Sequence, residues 1–141
     1  MIQGRPACYT GRDMKLKRIH HIAIIASDYQ KSKQFYAETL GLEVVKETYR
    51  KERDSYMLDL ALNGDYIIEL FSFPDPPKRP TYPEATGLRH LAFAVEDVAA
   101  TLQELRTKGV KTTELQTDSK TGKPMAFFFD PDELPLELSQ V

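Results

Sequence analysis

Two histidines and two glutamates recur at matching places in the two halves of the sequence. His21 and Glu69 are 48 residues apart, and His90 and Glu137 are 47 residues apart. Each glutamate lies in an apolar run, where an ionised carboxylate is costly unless it is paired or coordinated. Imidazole nitrogens and carboxylate oxygens are good ligands for divalent first-row metals. We therefore predict that His21, Glu69, His90 and Glu137 bind one divalent ion, with nickel, cobalt, zinc, manganese and iron all possible.

These four residues follow an internal repeat of the chain. An offset of 69 places His21 on His90, and an offset of 68 places Glu69 on Glu137. The same offsets match the apolar periodicity of the two halves, so that each half is predicted to be a βαβββ unit. The predicted fold class is α+β, with two tandem βαβββ modules forming a curved mixed sheet around a metal-binding cavity.

Strand and helix signals position the four residues. The strands are predicted at 19–25, 42–48, 55–62 and 66–73 in the first half, and at 88–95, 110–114, 125–129 and 134–138 in the second. Asp28 and Asp97 are N-cap candidates for one helix in each half, and Gly41 and Gly109 are the expected helix ends. Asn63-Gly64 is typical of a two-residue hairpin turn.

Strand alternation indicates which way the candidate ligands point. Ala23 shares a face with His21, while Ala92 and Ala94 share a face with His90, so that small side chains leave room for a cavity. Ile25 lies on the His21 face as well. The remaining large apolar residues of both strands point the other way, where the helices can cover them: Ile22, Ile24, Leu91, Phe93 and Val95. His20 falls on that other face or at an edge, and we predict a structural or supporting role for it.

Proline content divides the chain into segments. Five of the nine prolines lie in residues 74–83, a stretch that indicates a linker or lid. We expect a leader outside the fold at 1–16 and one domain at 17–141. Within that domain, module one covers 17–73, the proline-rich linker 74–86 and module two 87–141.

Composition excludes several classes of protein. Nineteen basic and 21 acidic residues give a formal charge of -2, which favours neither nucleic acid nor an anionic membrane as partner. No run of 18 apolar residues suggests a membrane span, and no signal peptide is apparent at the N-terminus. The single cysteine, Cys8, agrees with a reducing compartment. We expect a cytoplasmic protein.

Several segments resemble the vicinal oxygen chelate superfamily, which includes glyoxalase I, methylmalonyl-CoA epimerase, extradiol dioxygenases, fosfomycin-resistance thiol transferases and bleomycin-binding proteins. The resemblance spans residues 17–140 and rests on HHIAI followed by Asp28, and on FYAETLGLEVV, IIEL, GLRHLAFAVEDV and FDPDELPLEL. It implies that His21, Glu69, His90 and Glu137 are the metal ligands, as in bacterial-type glyoxalase I. Small bacterial glyoxalase-like proteins of unassigned substrate are the more similar group.

Three features depart from the glyoxalase I pattern. Glu133 stands where many relatives have glycine, and no residue convincingly matches the glutathione-binding arginines of glyoxalase I. Lys46 stands where similar glyoxalases tend to have arginine, and the nearby Arg50, Lys51 and Arg53 fit a solvated face equally well.

The resemblance implies a metal-dependent, glyoxalase I-like lyase or isomerase that converts a small substrate with vicinal oxygens through an enediolate. Glu137 is the preferred base and Glu69 its counterpart, although the residues alone do not rank them. The alternatives are a dioxygenase or thiol transferase of the same superfamily, or a non-catalytic small-molecule binding module. The expected partners are a small substrate, for which a thiol conjugate is one candidate, and a second copy of the chain in a homodimer. The cavity could form within one chain or between two chains.

Overall fold

The computed structural model describes residues 14–141. The predicted leader falls largely on residues 1–13, which lie outside the described part, and residues 14–21 carry no helix or strand. The first half contains β1 (Ile22–Ala26), α1 (Tyr29–Gln34) with a π-helical turn at Phe35–Thr39, β2 (Glu43–Arg50), a 3-10 turn at Lys51–Arg53, β3 (Ser55–Leu62) and β4 (Asp65–Ser72). The second half contains β5 (Leu91–Val95), α2 (Val98–Thr107), β6 (Gln116–Thr117), β7 (Pro124–Phe129) and β8 (Pro135–Gln140).

The strands form two four-stranded mixed sheets, which confirms the α+β class and the tandem βαβββ order. Their strand orders are β1-β4-β3-β2 and β5-β8-β7-β6, and neither sheet closes into a barrel. In each sheet the first strand pairs in parallel with the last, and the other pairs are antiparallel. Both halves therefore have the same topology.

Local signals place the helices and the first hairpin as predicted. Asp28 and Asp97 cap α1 and α2, because their carboxylates accept hydrogen bonds from the backbone N–H groups of Lys31 and Ala100 at 3.2 and 2.9 Å. The Asn63-Gly64 turn has φ values of 51° and 84°, the left-handed pair that a tight hairpin of this kind requires.

One hydrophobic core joins the two halves. It contains residues from both sheets and from both helices, among them Ile24, Ile68, Leu70, Val98, Leu102, Phe128 and Leu136. Across the halves, the ring centroids of Phe35 and Phe128 are 6.4 Å apart, and the Tyr36 hydroxyl donates to the buried Asp130 carboxylate at 2.7 Å. The helix-covered faces of both sheets thus share one interior, and the opposite faces are turned away from it.

The predicted strand at 110–114 is wrong. This segment makes only an isolated bridge between Thr112 and Phe128, and the ladder resumes in the short β6. The cause is local, because the Thr113 side-chain hydroxyl accepts a hydrogen bond from the Phe127 N–H at 3.0 Å. The Thr113 hydroxyl thus replaces the backbone carbonyl that would accept this hydrogen bond in a regular strand pair.

The strand predicted at 88–95 begins only at Leu91. The Arg79 guanidinium donates to the carbonyls of Leu88 and Arg89 at 2.9 and 3.0 Å, which occupies two acceptors that a longer strand would use. The segment 74–86 contains no helix or strand, but the buried Thr81 donates from its hydroxyl to the Glu133 carbonyl at 2.8 Å. None of the helices in the described part of the chain is long and apolar enough to cross a membrane.

Candidate metal site

The four candidate ligands belong to the outward-facing sides of the two sheets. His21 and His90 directly precede β1 and β5, while Glu69 and Glu137 lie on the neighbouring strands β4 and β8. Ala23 is the partner of Glu69 in the sheet register, and Ala92 is the partner of Glu137. The repeat therefore places each histidine and glutamate in the same relation to its sheet.

The small residues beside the ligands are exposed, as the strand alternation predicts. Ala23 and Ile25 on β1 face outward, whereas Ile24 and Ala26 are buried in the core. On β5, Ala92 and Ala94 are exposed. The side chains opposite Glu69 and Glu137 are therefore small and exposed.

His90 and Glu137 are in direct contact. The Nε2 atom of His90 lies 2.7 Å from the Oε2 atom of Glu137, and the other carboxylate oxygen accepts a hydrogen bond from the Ser139 hydroxyl at 3.0 Å. The edge of the His90 ring packs against the Phe127 ring, with centroids 5.3 Å apart. One nitrogen and one oxygen thus converge on one place, about as close as two ligands of one metal ion lie when each bond is roughly 2.1 Å.

His21 and Glu69 are joined through a third residue, Tyr66. The Tyr66 ring stacks on the His21 imidazole with centroids 5.1 Å apart. Its hydroxyl donates to Glu69 Oε2 at 2.9 Å and lies 3.2 Å from Asp59 Oδ1. Burial raises the pKa of Tyr66 above its usual value, and hydrogen bonding to Glu69 raises it further. The phenol therefore stays protonated at neutral pH and can donate a hydrogen bond to these carboxylates.

His20 supports the first pair from the side. Its Nδ1 atom is 2.8 Å from the Nδ1 atom of His21, so that one protonated nitrogen donates to the other. The His20 ring also meets the Tyr66 ring edge-on, with centroids 5.3 Å apart. These contacts fit a supporting role for His20.

One chain does not gather all four candidate ligands. Within residues 14–141, no group of three or more His, Cys, Asp and Glu side chains lies close enough together to hold a metal ion. The structure instead presents two half-sites, which we define as His21 with Glu69 and His90 with Glu137. Two imidazole nitrogens and two carboxylate oxygens together make a donor set that fits a divalent first-row metal.

The sequence did not single out Tyr66, Asp59 or Ser139. Asp59 lies opposite Glu69 because the β3–β4 register shifts between Leu60 and Ala61; the turn at 63–64 alone would pair Asp59 with Ile68, and the sequence carries no signal for that shift. Tyr66 carries no signal either, since a tyrosine at a strand start is common and its contact with His21 depends on packing between β1 and β4.

Comparison with known proteins agrees with this architecture. The family model described as the Glyoxalase/Bleomycin resistance protein/Dioxygenase superfamily matches residues 18–138. The chain belongs to this superfamily. The vicinal oxygen chelate assignment made from the sequence is thereby confirmed.

Relatives within the superfamily include close and more distant proteins. The uncharacterized protein YwkD of Bacillus subtilis is 65% identical over 89% of this chain and 98% of its own length. The crystal structure of a glyoxalase family protein from Enterococcus faecalis is 52% identical, covers 86% of this chain and 96% of that one, and has a TM-score of 0.81. The "Probable lactoylglutathione lyase" of Synechocystis is 32% identical over 85% of this chain and 92% of its own length.

Proposed function

We propose that this protein is a divalent-metal-dependent lyase or isomerase, similar to glyoxalase I, that acts on a small substrate with vicinal oxygens. The observation that carries the proposal is the duplicated histidine–glutamate pair. Both glutamates sit opposite an exposed alanine at the same register of their sheets, next to a histidine that precedes the parallel strand. The likeness to a lactoylglutathione lyase supports the class of reaction.

In this proposal, the complete site forms between two copies of the chain in a homodimer. His21 and Glu69 of one copy would meet His90 and Glu137 of the second copy. Two observations support this arrangement. The half-sites lie on faces turned away from the shared core, and β2 leaves Val44, Val45 and Tyr49 about half exposed or more at a sheet edge. Pairing of copies would cover that edge.

When bound, a divalent metal would act as a Lewis acid toward the two adjacent oxygens of the substrate. The chain's own contribution is then the movement of the proton on the carbon beside the carbonyl. Glu137 would accept it, because the Ser139 hydroxyl orients one carboxylate oxygen and the Phe127 ring packs against His90 on the neighbouring strand position. Its side chain is 13% exposed, which leaves the carboxylate within reach of a small ligand.

Glu69 has different neighbours from Glu137, and we assign it a different role. It accepts a hydrogen bond from Tyr66, and Asp59 is its partner on β3. Because Ser139 donates to Glu137 in the same way, these contacts alone do not rank the two glutamates, and the resemblance to glyoxalase I decides the assignment. We therefore assign metal binding to Glu69 and both metal binding and proton transfer to Glu137.

Elemental analysis of the purified protein, followed by an activity screen, tests the proposal. The screen would use methylglyoxal with glutathione, then other thiols, 2-oxo acids and CoA thioesters. We expect about one divalent ion per chain and metal-dependent exchange of a substrate proton with solvent. A protein that binds no divalent metal on titration would be a non-catalytic binding module. Metal-dependent oxygen uptake with catechols would instead identify a dioxygenase.

A further inference from the structure

Two arginines lie over a pair of stacked phenylalanine rings on the first sheet. The Phe71 and Phe73 rings are nearly parallel, with centroids 5.6 Å apart. The guanidinium carbon of Arg50 is 5.4 Å from the Phe71 centroid and 5.8 Å from that of Phe73, and the guanidinium carbon of Arg53 is 5.3 Å from the Phe73 centroid. We call these four residues the arginine–phenylalanine cluster.

The cluster continues the surface on which Glu69 lies. Glu69 and Phe71 alternate with the fully buried Leu70 on β4, so the two share the outward face and are about 7 Å apart along the strand. Ile25 and Met57 flank Phe71 on the neighbouring strands. A ligand that reaches Glu69 would therefore pass over an apolar floor before it meets the guanidinium groups.

Both arginines have donors that the protein does not use. Arg50 donates from Nη2 to the hydroxyl of the buried Ser55 at 3.0 Å, which fixes its orientation, while its buried Nε has no hydrogen-bond partner among the residues that the structure describes. Neither Arg50 nor Arg53 forms an ion pair within residues 14–141. The two guanidinium groups beside Phe73 carry like charges that repel, and an anionic oxygen group bound to their exposed nitrogens would relieve that repulsion.

The second half of the repeat lacks this cluster. At the repeat offset of 68, Arg50, Arg53, Phe71 and Phe73 correspond to Asp118, Thr121, Ser139 and Val141. The second half builds the same βαβββ unit, with the same histidine–glutamate pair, without any of the four side chains. The cluster is thus a local feature of the first module, beside one half-site only.

We propose that the arginine–phenylalanine cluster binds the anionic end of the substrate, a carboxylate or phosphate on an apolar or aromatic body. The body would pack on Phe71 and Ile25, and the arginines would bind the anionic oxygens. This inference rests on the proposed function, because it takes the Glu69 end of the surface as the place of reaction.

Isothermal titration calorimetry on the metal-free, full-length protein tests the subsite without depending on the metal. The probes are benzoate, phenyl phosphate and neutral benzyl alcohol. We expect at least one anion to bind about tenfold or more tightly than benzyl alcohol, because a hydrogen bond to a charged group is worth at least that factor. The tighter of the two anions shows whether the subsite is built for carboxylate or phosphate.

Charge-matched variants locate the binding. Arg53→Gln and Arg50→Gln should each weaken the preferred anion about tenfold, and the exposed position of Arg53 makes its variant safe for folding. Lys51→Gln removes the same charge from the same turn but contacts neither ring, and it should change affinity less than about twofold. An equal loss in Lys51→Gln, or no preference for either anion, would overturn the subsite.

Metal analysis separates failure of this inference from failure of the proposed function. Metal binding without any anion preference overturns the subsite and leaves the proposed function standing. Anion binding that depends on Arg53 in a protein that takes up no divalent metal supports the subsite and overturns the metal-dependent reaction.

Discussion

Replacing Tyr66 with phenylalanine should destabilise the metal-free protein, because this hydroxyl bridges two carboxylates on adjacent strands. Glu69 and Asp59 are direct partners in the β3–β4 register, where like charges repel. The phenol donates at 2.9 Å to Glu69 and lies 3.2 Å from Asp59. Phenylalanine preserves the ring that stacks on His21 but removes the only donor proton of the phenol.

The size of the effect follows from the partners and their exposure. A hydrogen bond to a charged group contributes about 1.5–3 kcal/mol, and the partial exposure of Tyr66 points to the lower end of that range. We therefore expect a loss of about 1.5 kcal/mol in the free energy of unfolding at pH 7. The raised pKa of Tyr66 adds a pH dependence, since the unfolded chain ionises this tyrosine near pH 10 before the folded protein does. The advantage of the wild type should be complete below pH 10 and should shrink as the pH rises above it.

Urea unfolding followed by circular dichroism, at one fixed protein concentration, measures this difference at pH 7 and again above pH 10. Tyr82→Phe is the matched control, because Tyr82 is 65% exposed and its hydroxyl makes no hydrogen bond within residues 14–141. A Tyr66→Phe protein as stable as the Tyr82→Phe protein at pH 7 would refute the bridging role. A stability difference that stays constant above pH 10 would refute the linkage argument.

Two further substitutions test other parts of the structure. Glu137→Gln should keep bound metal but slow the exchange of a substrate proton with solvent by about a hundredfold or more, as measured by NMR in deuterated water. Exchange at the wild-type rate would show that another residue is the base, with Glu69 the next candidate. Tyr36→Phe should lower the free energy of unfolding by about 1–3 kcal/mol, because Asp130 loses its 2.7 Å donor in a site where burial raises the pKa of that carboxyl. A loss below about 0.5 kcal/mol in urea unfolding would show that the Tyr36–Asp130 bond contributes little.

The fold could be predicted from the sequence largely because local signals and the repeat agree. The two helix caps, the Asn63-Gly64 turn and the strand at 55–62 all lie where the pattern places them. The two incorrect strand predictions lie where a side chain forms a hydrogen bond with a backbone group that a longer strand would use. These side chains are Thr113 beside β7 and Arg79 beside β5. These side-chain hydrogen bonds form only when distant segments pack together, and the periodicity of the sequence carries no information about that packing.

The candidate site was predictable only in its repeated part. Duplication identifies His21, Glu69, His90 and Glu137 as a set, and alternation assigns them to outward faces. Tyr66 lacks a counterpart in the second half, where Leu134 stands at the offset of 68, so the repeat does not mark it. The separation of the two half-sites could not be predicted from the sequence either, because it follows from the packing of both helix-covered faces into one core.

Complementation between two inactive variants tests the shared metal site most directly. Pure His21→Ala and pure His90→Ala proteins should each lose the bound metal, since each lacks one imidazole in every site. After equal amounts of the two are mixed, dissociated and reassociated, half of the dimers are heterodimers, and each of these regains one intact site from His21 of one copy and His90 of the other. We expect the mixture to bind about a quarter of the wild-type metal content by elemental analysis, with matching recovery of activity. A mixture that binds no more metal than the separate variants would contradict a site shared between two chains.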